Sequence, residues 1–179
     1  MATLKKSDMV QAGNFPLPQN KYSLRVKKAT FGPSKSSGNP TTAMECEIVW
    51  PKELELADGS KASTDGFPPV RYYISYTEKG QQRARSVHEK LGAPLADEFD
   101  NENINPSELV GKVFDALLSS KAKFATMAPR AGQSIGDFIL DADGNKQQLG
   151  YEVNAQVDSI FGLTSDSTLE QIRAVNPSI

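Results

Sequence analysis

The order of hydrophobic patterns along the chain predicts a mainly β protein, a five-stranded antiparallel Greek-key barrel with one helix between its third and fourth strands. Three observations carry this expectation. Several segments alternate apolar and polar residues with period two, the mark of strands with one buried and one wet face. Within that series the period turns helical once, between residues 77 and 91. The 179 residues, 38% hydrophobic and 23% charged, suit one globular domain with its own core rather than disorder.

Residues 1–19 are polar, carry two prolines and read as a flexible arm; a barrel domain follows over 20–162, then a short C-terminal helix and tail over 163–179. The first strand has Tyr22, Leu24 and Val26 on one face and Ser23, Arg25 and Lys27 on the other, and stops at Gly32-Pro33. A loop, Ser34-Lys35-Ser36-Ser37-Gly38-Asn39-Pro40, leads to the second strand. There Met44, Cys46, Ile48 and Trp50 point inward and Glu45 and Glu47 outward. Residues 52–69 hold the turn signals Asp58-Gly59 and Asp65-Gly66 and read as a small hairpin or an ordered loop.

In the third strand Val70, Tyr72, Ile74 and Tyr76 face the core, and Arg71, Tyr73 and Ser75 face water. The helix starts at Thr77 as N-cap, buries Ala84, Val87, His88 and Leu91, and ends at Gly92 with Pro94 beyond. An acidic loop follows, then Asn105-Pro106-Ser107-Glu108, the signature of a capped helical turn. Gly111 opens the fourth strand through Val113, Phe114, Ala116 and Leu118. Residues 135–161, with a turn at Asp141-Ala142-Asp143-Gly144, read as a closing hairpin, and Ser167-Thr168-Leu169-Glu170 as the capping box of a terminal helix. This order is the layout of an OB-fold; another small barrel or sandwich with one helix is the alternative.

Several function classes are excluded by composition. One cysteine and one histidine, Cys46 and His88, provide neither a disulfide scaffold nor a thiolate–imidazole zinc cage. No apolar run suggests a signal peptide or a membrane span, so a cytoplasmic location is expected. His88 leans toward the core and Cys46 is read as an inert buried thiol, which leaves no nucleophile with a base, and no loop matches a phosphate-cradling fingerprint. Asp97, Glu98, Asp100 and Glu102 read as a solvated run. Asp141, Asp143, Asn145 and Glu152 have calcium-loop spacing, but Lys146 stands where such a loop needs glycine, and a hairpin turn is preferred. Neither an enzyme nor a cofactor or metal is expected.

Charge is distributed unevenly. Residues 1–35 hold seven lysines and arginines against Asp8 alone, a surplus of six, so within a total of −2 the other 144 residues carry −8. Lys79, Arg83 and Arg85 add cations on the helix. In an OB barrel the loops between strands one and two and between strands four and five border the ligand groove. Here those are residues 32–41, with Lys35, and residues 120–134, with Lys121, Lys123, Phe124 and Arg130. Tyr73 stands on a polar face beside Arg71. Rings that stack on bases and cations that meet phosphates are the equipment of a single-strand binder. A solvated Lys-rich strand with a surface tyrosine is the alternative that the residues alone leave open.

The runs Tyr22-Ser23-Leu24-Arg25-Val26-Lys27-Lys28-Ala29, Ser34-Lys35-Ser36-Ser37-Gly38-Asn39-Pro40 and Thr42-Ala43-Met44-Glu45-Cys46-Glu47-Ile48-Val49 resemble the opening of small phage and prophage single-stranded-DNA-binding proteins. The helix end Lys90-Leu91-Gly92, the acidic linker and Leu109-Val110-Gly111-Lys112-Val113-Phe114 extend the resemblance to about residues 20–162. It implies an OB-fold protein that coats exposed strands in the host cytoplasm during phage replication or recombination, with phage or host replication proteins as further partners. It places binding on Arg25, Lys27 and Lys35 and on the Arg71/Tyr73 face. A protein-interaction or virion-assembly component on the same barrel is the alternative function, and homo-oligomerisation is left open. Such proteins often end in an acidic tail, whereas this sequence closes Arg173-Ala174-Val175-Asn176-Pro177-Ser178-Ile179. The terminal amphipathic helix is therefore expected to dock on the barrel, with a second subunit as the alternative.

Overall fold

Strand β1 (Asn20–Pro33) lies at the centre of a five-stranded antiparallel sheet, flanked by β2 (Pro40–Trp50) and β6 (Val113–Ala122). Outside them run β5 (Val70–Ser75) and β9 (Val153–Leu163), giving the order β5-β2-β1-β6-β9. The computed structural model describes residues 17–56, 59, 61–98, 100, 102–122, 132, 138–140, 142–148 and 153–179. The sheet is curled into a half-barrel, so that its outer strands β5 and β9 approach each other; among the described residues no ladder joins them.

Two hairpins stand apart from this sheet: β3 (Glu53–Glu55) with β4 (Lys61–Ser63), and β7 (Phe138–Leu140) with β8 (Lys146–Gln148). The closing hairpin expected over 135–161 is thus divided. Its turn belongs to the separate β7–β8 pair, and its last strand joins the main sheet as β9. The 52–69 excursion is a hairpin, with Gly59 and Gly66 in the left-handed region that its two turns require.

The concave side holds the core. Tyr22, Leu24 and Val26 of β1, Met44 and Cys46 of β2, Ile74 of β5 and Phe114, Ala116 and Leu118 of β6 are all buried. Helix α1 (Gln81–Lys90) supplies Ala84, Val87 and His88. Thr77 caps a 3-10 turn over Glu78–Gly80 that leads into it, so the α-helix begins later than the cap. Its end is set by Gly92 at φ +69°, where an added Cβ would stand 2.8 Å from Leu163 Cδ1. Asn105 caps the 3-10 turn Pro106–Leu109, whose Leu109 is fully buried.

The alternation in β1 changes phase. Val26 pairs with Cys46 and Lys28 with Glu45, so Lys27 is the extra residue of a bulge. Beyond it the residues packed on the core are Ala29 and Phe31, while Lys28 and Thr30 stay outside. A plain period of two would have turned Lys28 inward.

Helix α2 (Asp166–Val175) is capped by Ser165, whose hydroxyl accepts from the Thr168 N–H, two residues before the expected capping box. Ile172 is fully buried, and Ser178 accepts a hydrogen bond from Arg25 through its carbonyl, so this segment docks on its own chain. Leu17, at the end of the expected arm, is buried in the core, and Pro18 accepts from the Tyr22 hydroxyl. The arm over residues 1–16 lies outside the described residues. Among the described residues no helix is long and apolar enough to cross a membrane.

Candidate functional site

Residues paired directly in an antiparallel ladder project to the same side of the sheet. Between β1 and β2, Arg25 stands opposite Glu47, Lys28 opposite Glu45 and Thr30 opposite Ala43. Between β2 and β5, Arg71 stands opposite Glu45 and Tyr73 opposite Ala43. All of these therefore share the face turned away from the core. The register brings Arg25, Arg71 and Tyr73 together, although they come from strands some fifty residues apart in sequence.

Tyr73 is 59% exposed, because the residue opposite it is the small Ala43. It borders an open cleft of about 790 Å³, lined also by Lys35, Thr30, Glu45, Arg71 and Ser75. Lys35 is presented by a tightly closed loop. Ser34 and Asn39 join through a 2.8 Å backbone bond, Gly38 returns to the Ser34 carbonyl at 2.8 Å, and the Ser34 hydroxyl accepts from the Ser36 and Ser37 N–H groups. A second cleft of about 450 Å³ adjoins it, bordered by Arg25, Lys27, Glu47, Lys52, Phe67 and Asn176. Glu45 lines both clefts.

Six cations, Arg25, Lys27, Lys28, Lys35, Lys52 and Arg71, meet three carboxylates, Glu45, Glu47 and Asp65, around the two clefts, a surplus of three. They are not equally available. Arg25 is ion-paired with Glu47 and donates to the Ser178 carbonyl, and its side chain is only 17% exposed. Lys27 reaches Glu47 at 3.8 Å and Arg71 reaches Glu45 at 3.7 Å, both from exposed positions where such a pair is weak. Lys28 and Lys35 are exposed and form no ion pair among the described residues.

Sequence reasoning put Glu45 and Glu47 on the wet face but did not connect them with the basic strand, and it missed Lys28 as a member of the site. The Lys27-Lys28 doublet between Val26 and Ala29 was the available signal of the bulge.

Other expected positions fall elsewhere. Lys121 belongs to β6, opposite Asn154 and on the far side of β1 from β2. Lys123, Phe124 and Arg130 lie outside the described residues. Of the helix cations, Arg83 rests over the Tyr72 ring and donates to its hydroxyl at 3.4 Å. Arg85 holds the carbonyls of Ala96 and Asp97.

The reactive side chains are enclosed. His88 is buried, with Nδ1 3.0 Å from the Ala93 carbonyl and Nε2 2.8 Å from the Tyr76 hydroxyl. A carbonyl only accepts, so Nδ1 carries the proton, Tyr76 donates to Nε2, and Thr42 donates to Tyr76 at 2.8 Å. Burial lowers the His88 pKa below its ordinary value, against smaller upward pulls from the Ala93 carbonyl and Glu108. Burial pushes the Cys46 thiol up to about 12, with Glu45 adding to the rise. In the acidic loop, Asp100 spends one carboxylate oxygen on the N–H groups of Glu102 and Asn103. No group of three or more His, Cys, Asp or Glu residues able to hold a metal occurs among the described residues; Asp141 and Glu152 lie outside them.

The chain matches no protein-family model and no curated protein sequence.

Proposed function

We propose that this chain binds single-stranded DNA without sequence preference, through the outward face of β1, β2 and β5, on a barrel of the OB type. The observation that carries the reading is the exposed Tyr73 ring set in one register with Arg71, Lys28 and the Lys35 loop. A ring of this kind stacks on any base, and the surrounding cations meet a phosphate backbone. A net negative protein has its local cation surplus where the ring stands free.

The strand order supports the barrel type. The run β6-β1-β2-β5 places the fourth sheet strand beside the first, as in a Greek key, and the helix falls between the third and fourth. In an OB barrel the face of strands two and three and the loop between strands one and two take oligonucleotides. The corresponding parts here are β2, β5 and residues 34–39, which border the larger cleft. A role in phage-type replication or recombination follows from the resemblance of residues 20–162 to phage and prophage single-strand binders.

Fluorescence titration of a labelled oligothymidine and of a duplex, each at low and high salt, tests this. Single-strand affinity is expected to exceed duplex affinity and to fall with salt, with a slope near −0.7 for each phosphate contact. Tyr73→Ala should weaken it by about 1–3 kcal/mol, and Lys27→Glu with Lys35→Glu should weaken it further and flatten the slope. Strand affinity unmoved by these changes removes the assigned face. Stable self-association or partner capture without any oligonucleotide shift supports an assembly component instead.

A further inference from the structure

The most informative group on the proposed binding face is an anion. Glu45 is the residue that both clefts share, it stands opposite Lys28 on β1 and Arg71 on β5, and its side chain is 40% exposed. We infer that Glu45 is an affinity-limiting residue of this face, a carboxylate that a phosphate backbone must displace as it crosses from the Tyr73 cleft to the Lys27 cleft. The inference rests on the single-strand-binding reading and deepens it.

A strand seated on Tyr73 and reaching Lys27 follows β2 from Ala43 to Glu47, four residues or about 13 Å, with Glu45 midway. A phosphate there meets Lys28 and Arg71 attractively and Glu45 repulsively, all in a solvent-exposed setting. In the free protein Glu45 holds the Arg71 guanidinium at 3.7 Å and so competes for the same donor. The two carboxylates of β2 differ in this respect. Glu47 neutralises Arg25, which is largely buried, so its removal strands a charge and unsettles the fold. The partners of Glu45 are exposed, and its removal leaves the fold intact. Glu45 therefore acts on binding, whereas Glu47 acts on the structure beneath it.

The test is a change of opposite sign to every substitution above. Glu45→Gln should raise affinity for labelled oligothymidine at low salt by about threefold to tenfold. It should also steepen the salt slope by about 0.7, the increment of one further phosphate contact. Glu98→Gln, the same charge change on a separate cleft with Arg85 and Asp97, should leave affinity unchanged. Thermal unfolding monitors the fold, and Glu45→Thr, which retains a strand-favouring side chain, serves if the glutamine variant is not folded. Unchanged or weaker binding by a folded Glu45 variant overturns the inference, as does an equal gain from Glu98→Gln. If Tyr73→Ala still weakens binding in those cases, the single-strand reading survives alone; a wild-type chain that binds no oligonucleotide overturns both.

Discussion

The chain Thr42–Tyr76–His88–Ala93 shows how one buried polar group constrains its neighbours. Each member satisfies the next, and the last acceptor is a backbone carbonyl, so the direction of all three hydrogen bonds follows. Tyr76→Phe removes the middle link and leaves Thr42 and His88 unsatisfied in the core. A loss of about 1–3 kcal/mol in urea unfolding is expected. The same histidine makes stability depend on pH. Its folded pKa lies below the ordinary 6.5, so the unfolded chain takes up the proton first as the pH falls. The contribution is complete above 6.5 and is lost as the pH drops from there toward the folded value. Urea midpoints measured through that window should fall, and the fall should be smaller in His88→Gln. The sequence already showed His88 on the core side of a helix; its partner Tyr76 was assigned inward on the third strand, but their meeting depended on how helix and strand pack.

At the scale of elements, two chain ends of helices decide what the sheet can present. Gly92 ends α1 in a conformation that favours glycine, in contact distance of Leu163 on β9. Gly92→Ala strains the backbone at this positive φ, while the exposed end of Leu163 can give way to the new Cβ, and a stability loss of about 1 kcal/mol is expected from thermal unfolding. Helix α2 is held at its start by Ser165 and by Thr164, whose hydroxyl donates to Asp115 at 2.8 Å, beside the bond from Ser23. Ile172 then anchors it. Ile172→Ala should cost about 2–5 kcal/mol if the helix and sheet unfold together. If α2 alone detaches, far-UV and near-UV transitions will separate. The three-residue spacing of Leu169, Ile172 and Val175 made one apolar side of the helix legible, but Val175 is 56% exposed and Ile172 carries the burial. The beginning was misplaced by two residues because Ser165 and Ser167 both offer a hydroxyl to the same turn, and the local geometry favours the first.

Across the whole molecule, net charge gives the wrong impression of the surface. A total of −2 coexists with a face carrying a surplus of three cations around an exposed ring. Period-two patterns were enough to assign the wet and dry sides of β5, and of β1 as far as Val26, since in a regular stretch a side chain's face follows from its position along its own strand. They were also enough to place Arg71 and Tyr73 outside and Cys46 inside. The register between strands, the bulge at Lys27 and the docking of α2 beside Arg25 could not be read that way. These depend on pairings between segments far apart in the chain, which form only when the curled sheet closes its core. That is why the basic strand was visible as a run of letters, while Glu45 and Glu47 became visible as the carboxylates that restrain it only as its neighbours on β2.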